Sequence, residues 1–301
     1  MKYYLLDYLL ATGKQLSTCT IQIHNPSIRR RQVLKILIAN DDGIFAPGIR
    51  ALAKRLSEER KYEVYVVAPD RERSATGHSL TLHKPLRVQE VDIETDVAKA
   101  WCTTGTPSDS VKLAISVLLK TEPDLVIAGI NNGSNMGSEI LYSGTVAAAM
   151  EGTFSGIRSM AVSMVREGQP PKFAAAAEFI ARFLNCYDPL SLSPKILVNI
   201  NIPSIDFEEL EGVSITELGI RQYNDWFERR HDRRGNDYYW LAGHAIKEGE
   251  KETSDAWAVH HNRVSITPVS FQMTDREAME TLKGFEKLGQ IVNGEDKART
   301  K

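Results

Sequence analysis

Short runs that are apolar at every position, spaced by helical patterns, constrain this chain more than any other feature. Ile36-Leu37-Ile38-Ala39, Val64-Tyr65-Val66-Val67-Ala68 and Leu125-Val126-Ile127-Ala128 are too short for helices, and Met160-Ala161-Val162-Ser163-Met164 and Ile196-Leu197-Val198-Asn199-Ile200 read the same way. A strand without a polar face must be covered on both sides, which is the situation of strands in a parallel sheet. The intervening stretches supply the cover: in residues 48–58, Ile49, Leu52, Ala53 and Leu56 fall at helical spacing. This alternation predicts a doubly wound α/β core. Two helices mark their own starts, Thr106-Pro107 before a helix through Leu119 and Ser143 before the Ala-rich run Thr145 to Glu151, by a capping oxygen and, in the first, a proline at the first helical position.

Beyond residue 205 the texture changes. Residues 221–240 are rich in Tyr, Trp, Arg and Asp around the turn signal Asp232-Arg233-Arg234-Gly235-Asn236, which predicts an aromatic β-hairpin. Val264 to Val269 is a further strand and Asp275 to Leu288 a closing helix. The organisation expected is an α/β core over residues 34–205, a hairpin region with a closing helix over 206–288, and a frayed tail over 289–301. Residues 1–33 lack this patterning. Tyr3 to Leu10 is briefly apolar, but only Lys2 precedes it and no small-residue cleavage site closes it. We expect the native start near Val33 or Leu34, with the upstream residues an extension.

Composition narrows the function. Lys+Arg number 37 against 39 Asp+Glu, for a net charge of -2; that supplies no global field for nucleic acid or an anionic membrane, so phosphate binding must be local. No stretch approaches the roughly 20 apolar residues of a membrane-spanning helix. Cys19, Cys102 and Cys186 are odd in number and far apart, which argues against a disulfide framework or a structural zinc and fits a reducing cytoplasm.

Ligands of open α/β sheets bind beyond the carboxyl ends of the strands. Asn40-Asp41-Asp42-Gly43 follows the first strand, Pro69 to Ser79 the second, and Gly129 to Asn135 the third. If the chain turns at Gly43, the carboxylates of Asp41 and Asp42 converge, and two such anions repel unless a cation sits between them; oxygen-only donors suit Mg²⁺ or Mn²⁺. A plain turn capped by Asp41 accounts for the pair equally well. Asn131 and Asn132 read as a flexible loop or as an amide oxygen for a cation and an amide donor for a phosphate. The Ser74 hydroxyl is an oxygen ligand or a phosphate contact, and the alternating charges of Asp70, Arg71, Glu72 and Arg73 read as surface salt bridges. His78 reads as a general acid/base or as a hydrogen-bonding group. Ser143-Gly144-Thr145 opens a helix with backbone N–H groups at its positive end, an anion site or an ordinary cap. A P-loop, a GxGxxG dinucleotide fingerprint and a GxSxG elbow are all missing from the sequence.

In this order the clusters resemble the SurE family of survival proteins, metal-dependent 5′/3′-nucleotidases. The resemblance is carried by ILIANDDGIFAPGIRALA, VYVVAPDRERSATGHSLTLHKPLRV, TTGTPSDSVKLAI, PDLVIAGINNGSNMGSEILYSGTVAAAMEG and ILVNINIP, and it spans about residues 35–285. It implies a Rossmann-like doubly wound, mainly parallel sheet with a C-terminal β-hairpin arm. It implies one divalent ion, Mg²⁺ or Mn²⁺, on Asp41, Asp42, Ser74 and Asn131, and phosphate contacts at His78, Asn132, Ser143, Gly144 and Thr145. The implied reaction is hydrolysis of nucleoside 5′- and 3′-monophosphates, with Asp41 or Asp42 taking the proton of a water or attacking directly. The implied assembly is a homodimer or homotetramer that exchanges arms, with residues 223–240 the candidate arm. Two rival readings stand beside this one: a phosphatase of polyphosphate or other phosphomonoesters, and a catalytically silent nucleotide-binding protein.

Overall fold

A computed structural model describes residues 33–166, 168–220, 222–246 and 250–288. The expected N-terminal extension, apart from Val33, and the expected tail lie outside the described residues, as does Cys19. In chain order the elements are β1 (Leu34–Ala39), α1 (Pro47–Ser57), β2 (Tyr62–Pro69), β3 (Val88–Glu90), β4 (Lys99–Thr103) and α2 (Pro107–Leu113). Then come β5 (Leu125–Asn131), α3 (Gly144–Phe154), β6 (Arg158–Val165), α4 (Phe173–Cys186), β7 (Leu197–Pro203) and β8 (Gly212–Ile215). The last are β9 (Gln222–His231), β10 (Asp237–Ile246), α5 (Asp255–His260), β11 (Arg263–Val269) and α6 (Arg276–Leu282).

Nine strands pair in the order β3-β4-β2-β1-β5-β6-β7-β11-β8. The run from β4 to β7 is parallel throughout; β3 is antiparallel to β4, and β11 antiparallel to β7. From β1 the chain winds outward through β2 and β4, then restarts on β1's other side with β5, β6 and β7. The switch point therefore lies between β1 and β5, where a doubly wound sheet opens its crevice.

The period of two in β1 divides the core. Ile36 and Ile38 pack on one face with Ile49, Leu52 and Leu56 of α1 and Ile180 and Leu184 of α4. Leu37 and Ala39 pack on the other with Val111 of α2 and Val146, Ala148 and Ala149 of α3. Each fully buried Leu or Ile contributes on the order of 1.5–3 kcal/mol, which is why the central strands carry no polar face.

The two helix starts form as their sequences dictate. The Thr106 hydroxyl accepts the Asp109 N–H at 3.0 Å while the Asp109 carboxylate accepts the Thr106 N–H at 2.9 Å, and the Ser143 hydroxyl accepts the Val146 N–H at 3.0 Å. Two helices are shorter than expected: α2 ends at Leu113 and widens into a π-helical turn over Ala114–Leu118, and α6 ends at Leu282, followed by a 3₁₀ segment Lys283–Leu288. The hairpin reaches further than expected, pairing Gln222 with Ile246 and His231 with Asp237. Asp232 builds its turn, accepting the N–H groups of Arg234 and Asn236 at 2.7 and 2.9 Å. β9 and β10 form a separate two-stranded sheet on which Trp226, Phe227, Tyr239, Trp240 and Leu241 are exposed.

Candidate active site

The loop after β1 turns on its own side chain. Buried Asn40 donates its amide to Gly43 O at 2.9 Å and accepts the Gly43 N–H at 3.2 Å, while Gly43 takes φ +104°, a conformation that glycine adopts freely. The turn is docked on the neighbouring loop by Ile44 N–H to Pro69 O at 2.9 Å and Arg73 N–H to Asp41 O at 2.7 Å. Asp41 and Asp42 thereby line one cavity of about 750 Å³ together with Glu72, Ser74, Asn131, Asn132, Ser138, Glu139, Tyr142 and Ser143. The cavity lies at the switch point, between the ends of β1 and β5.

Asp41 is only 4 % exposed and sits against the start of α3. Thr145, fully buried, donates its hydroxyl to Asp41 Oδ1. A Cβ on Gly144 would lie 2.8 Å from both Cβ and Oδ2 of Asp41, so only glycine admits this approach. Asp42 Oδ2 accepts the Asn132 N–H at 3.2 Å. Burial pushes the Asp41 carboxyl above its ordinary range against the opposing Thr145 hydrogen bonds. Burial, and then the charge of Asp41, push Asp42 up to about 6. Two carboxylates held close in a poorly solvated pocket resist ionising together.

Ser74 donates its hydroxyl to Glu72 Oε1 at 2.7 Å. Asn131 gives its amide nitrogen to Gly133 O at 2.9 Å, so a cation in the cavity would meet its amide oxygen. The Asn132 side-chain oxygen accepts from Arg166 at 3.1 Å. Asp41, Asp42, Ser74, Asn131, Asn132 and Ser143 thus share one cavity.

Three expected phosphate contacts are placed elsewhere. Gly144 and Thr145 sit behind Asp41, off the cavity wall, because the anion at the positive end of α3 is the protein's own carboxylate. His78 turns away to Glu151, with Nε2 2.9 Å from Oε2, and its ring stacks on Phe154 at 5.3 Å. It lines a separate, apolar cavity of about 620 Å³ with Met150, Phe154 and Phe271. Glu151 is 3 % exposed and also accepts from Lys112 at 2.6 Å; the His78 hydrogen bond, foremost, holds it below the usual carboxylate range.

Glu72, Glu139 and Tyr142 also line the cavity, and no motif in the sequence singles them out. Of the four alternating charges, Asp70 does pair with Arg71 and Arg73 at 3.6 and 3.4 Å, but Glu72 faces the pocket. Its one legible signal was its place two residues from Ser74.

The donor set fits a hard divalent cation: carboxylate, hydroxyl and amide oxygens, with two carboxyls whose ionisation such an ion would favour. No group of three His, Cys, Asp or Glu is gathered for a metal among the described residues; the other oxygen donors on the cavity wall beside Asp41 and Asp42 include the hydroxyl of Ser74 and the amide of Asn131.

A family model described as "Survival protein SurE" matches residues 36–225. The chain is 48 % identical over 258 residues to a 5′-nucleotidase SurE of Thermosynechococcus vestitus, covering 83 % of this chain and 95 % of that one. It is 44 % identical over 264 residues to a 5′-nucleotidase SurE of Carboxydothermus hydrogenoformans, covering 87 % and 100 %. The crystal structure of SurE from Aquifex aeolicus superposes with a TM-score of 0.72 at 37 % identity, covering 84 % of this chain and 99 % of that chain. With the sheet order, the crevice and these matches in agreement, the chain belongs to the SurE family.

Proposed function

We propose that this chain is a divalent-metal-dependent nucleotidase that hydrolyses nucleoside 5′-monophosphates to nucleoside and phosphate. The observation that carries the reading is the pair Asp41 and Asp42 in one oxygen-lined cavity, with Asp42 pushed up to about 6; the nearly full-length relatives named 5′-nucleotidase support it. Asp41, Asp42, Ser74 and Asn131 would hold one Mg²⁺ or Mn²⁺. Such an ion, when bound, offsets charge on the phosphoryl oxygens as the ester bond breaks.

The chain's own residues set the geometry. Thr145 fixes one oxygen of Asp41, and Asn132 N–H orients Asp42. Asp41 accepts the proton of the attacking water and passes it to the leaving nucleoside oxygen, which departs as an alcohol; if Asp41 attacks phosphorus itself, a proton from water must reach the leaving oxygen and a water must then cleave the acyl phosphate to release phosphate. Ser143 and Asn132, on the cavity wall, are the candidate contacts for the phosphate. For assembly and setting, exposed Trp226, Phe227, Trp240 and Leu241 support a homodimer or homotetramer joined through its arms, and three widely spaced cysteines with no CxxC support a reducing, cytoplasmic setting.

Phosphate release from a panel of nucleoside 5′- and 3′-monophosphates and tripolyphosphate, with EDTA or added Mn²⁺, tests the reading. Mn²⁺-dependent release from the 5′-monophosphates is expected. Release that is indifferent to EDTA, or confined to tripolyphosphate, would refute it.

A further inference from the structure

We infer that Asp255 is a positioning residue that ties the root of the hairpin arm to the wall of the cavity, so that the way the arm is held reaches the substrate's surroundings. Asp255 is fully buried at the first position of α5. Its Oδ2 accepts the Gly137 N–H at 2.8 Å, and its Oδ1 accepts the Gly219 N–H at 2.9 Å and the Ala256 N–H at 2.9 Å. Gly137 opens the 3₁₀ turn Gly137–Leu141. That turn and the residues after it bring Ser138, Glu139, Tyr142 and Ser143 to the cavity. Gly219 lies three residues before β9, at the foot of the arm.

A helix-capping role does not explain these contacts. The cap of α5 is Ser254, whose hydroxyl accepts the Trp257 N–H at 3.2 Å. Gly137 and Gly219 come from segments 118 and 36 positions away, and a cap needs nothing from either. Inside the protein these hydrogen bonds lack competition from water. One carboxylate therefore sets the distance between arm root and cavity wall. An arm drawn against a partner would pull on Gly219, and the wall would follow through Asp255.

Asp255→Asn keeps the volume but replaces one acceptor oxygen with a donor, so one of the two segments is released. Amide exchange of the nucleotide-free protein, read by mass spectrometry, is expected to quicken about 10-fold or more over residues 137–143 or 218–220. In the kinetic arm, which rests on the nucleotidase reading, KM for a nucleoside 5′-monophosphate is expected to rise about 5-fold or more, with a smaller change in kcat and the same Mn²⁺ requirement. Ser254→Ala is the structural control: it lowers the melting temperature and leaves both KM and exchange over 137–143 as in the wild type. Wild-type exchange at both segments in Asp255→Asn, or the same KM and exchange changes in Ser254→Ala, would overturn the proposal. If Asp255→Asn does not fold, Gly219→Ala takes its place, since its Cβ would lie 3.1 Å from Asp255 Oδ1. Faster exchange over 137–143 in that variant supports the link, and unchanged exchange overturns it. A wild-type protein without hydrolysis would strike the nucleotidase reading alone, and the exchange arm still decides this one.

Discussion

Thr145 donates its hydroxyl to Oδ1 of Asp41, joining the first turn of α3 to the loop after β1 across 104 positions of sequence. The bond fixes the carboxylate's orientation and sets its charge at the positive end of the helix. Thr145→Val preserves the shape and removes only the donor. The Mn²⁺ concentration for half-maximal activity is expected to rise about 10- to 100-fold, the usual cost of losing a group that orients a metal ligand. A metal titration of phosphate release measures it, and an unchanged requirement would mean that Thr145 does not orient a ligand.

Asp42→Asn separates activity from stability. It removes an anion from the proposed ion site, and activity is expected to fall by about 100-fold or more. It also removes the repulsion between Asp42 and Asp41, so the metal-free variant is expected to melt above the metal-free wild type at pH 7.5. Paired melting curves and rates test both halves.

The same repulsion gives the metal-free protein a pH dependence with a definite sign. Asp42 titrates near 6 in the folded chain against an ordinary 3.8, and Asp41 is raised as well. A carboxyl raised by folding binds its proton more tightly in the native state, so the contribution of Asp42 to stability falls as pH rises from about 4 through 6, and Asp41 acts in the same direction. Added Mn²⁺ relieves the loss once the carboxylates are ionised. Its gain in melting temperature over EDTA is expected to be larger at pH 7.5 than at pH 5; equal gains would count against the site.

His78 and Lys112 converge on Glu151, pinning the loop that carries Ser74 and Glu72 to α3. Folding lowers the Glu151 carboxyl, so its contribution is complete above the unfolded value of 4.5 and is lost as pH falls through the depressed one. Glu151→Gln is expected to cost about 1.5–3 kcal/mol at pH 7, the range for hydrogen bonds to a charged group. The deficit should shrink in acid. Urea denaturation at pH 7 and pH 4 gives the comparison.

The hairpin exposes Trp226 and Trp240 at paired positions, Trp226 opposite Ala242 and Trp240 opposite Glu228. Replacing both with Ser is expected to reduce the mass seen by light scattering from that of an oligomer to that of one chain. The α/β core should melt as before, since the arm forms its own sheet. A wild-type protein that is already a single chain would remove the assembly proposal.

How much of this was legible depends on how local the governing physics is. Ile36 to Ala39 and Leu125 to Ala128 announce central strands because each residue must be apolar wherever both faces are covered. Thr106-Pro107 and Ser143 announce helix starts because a capping oxygen reaches an N–H three residues away. β3 and β8 carry no such signal: they lie at the two edges of the sheet, where one side has no neighbour and an apolar run is not required. The three polar clusters that carry Asp41, Asp42, Ser74 and Asn131 were legible as neighbours because strand ends in a doubly wound sheet share one crevice; singling out these four residues came from the resemblance to the SurE family.

The amino-acid sequence by itself determined the parallel core, the crevice and the residues delivered to its rim, since periodicity, capping and turn chemistry act within a few positions along the chain. Only the tertiary structure decided which partner each polar group took. It brought Asp41 to the positive end of α3, His78 to Glu151, Glu72 to the cavity, and Asp255 to both Gly137 and Gly219. Those choices are made through space, between groups up to 118 positions apart. A buried donor or acceptor must pair with whatever the packed helices and strands bring within about 3 Å, and no local pattern records that neighbour.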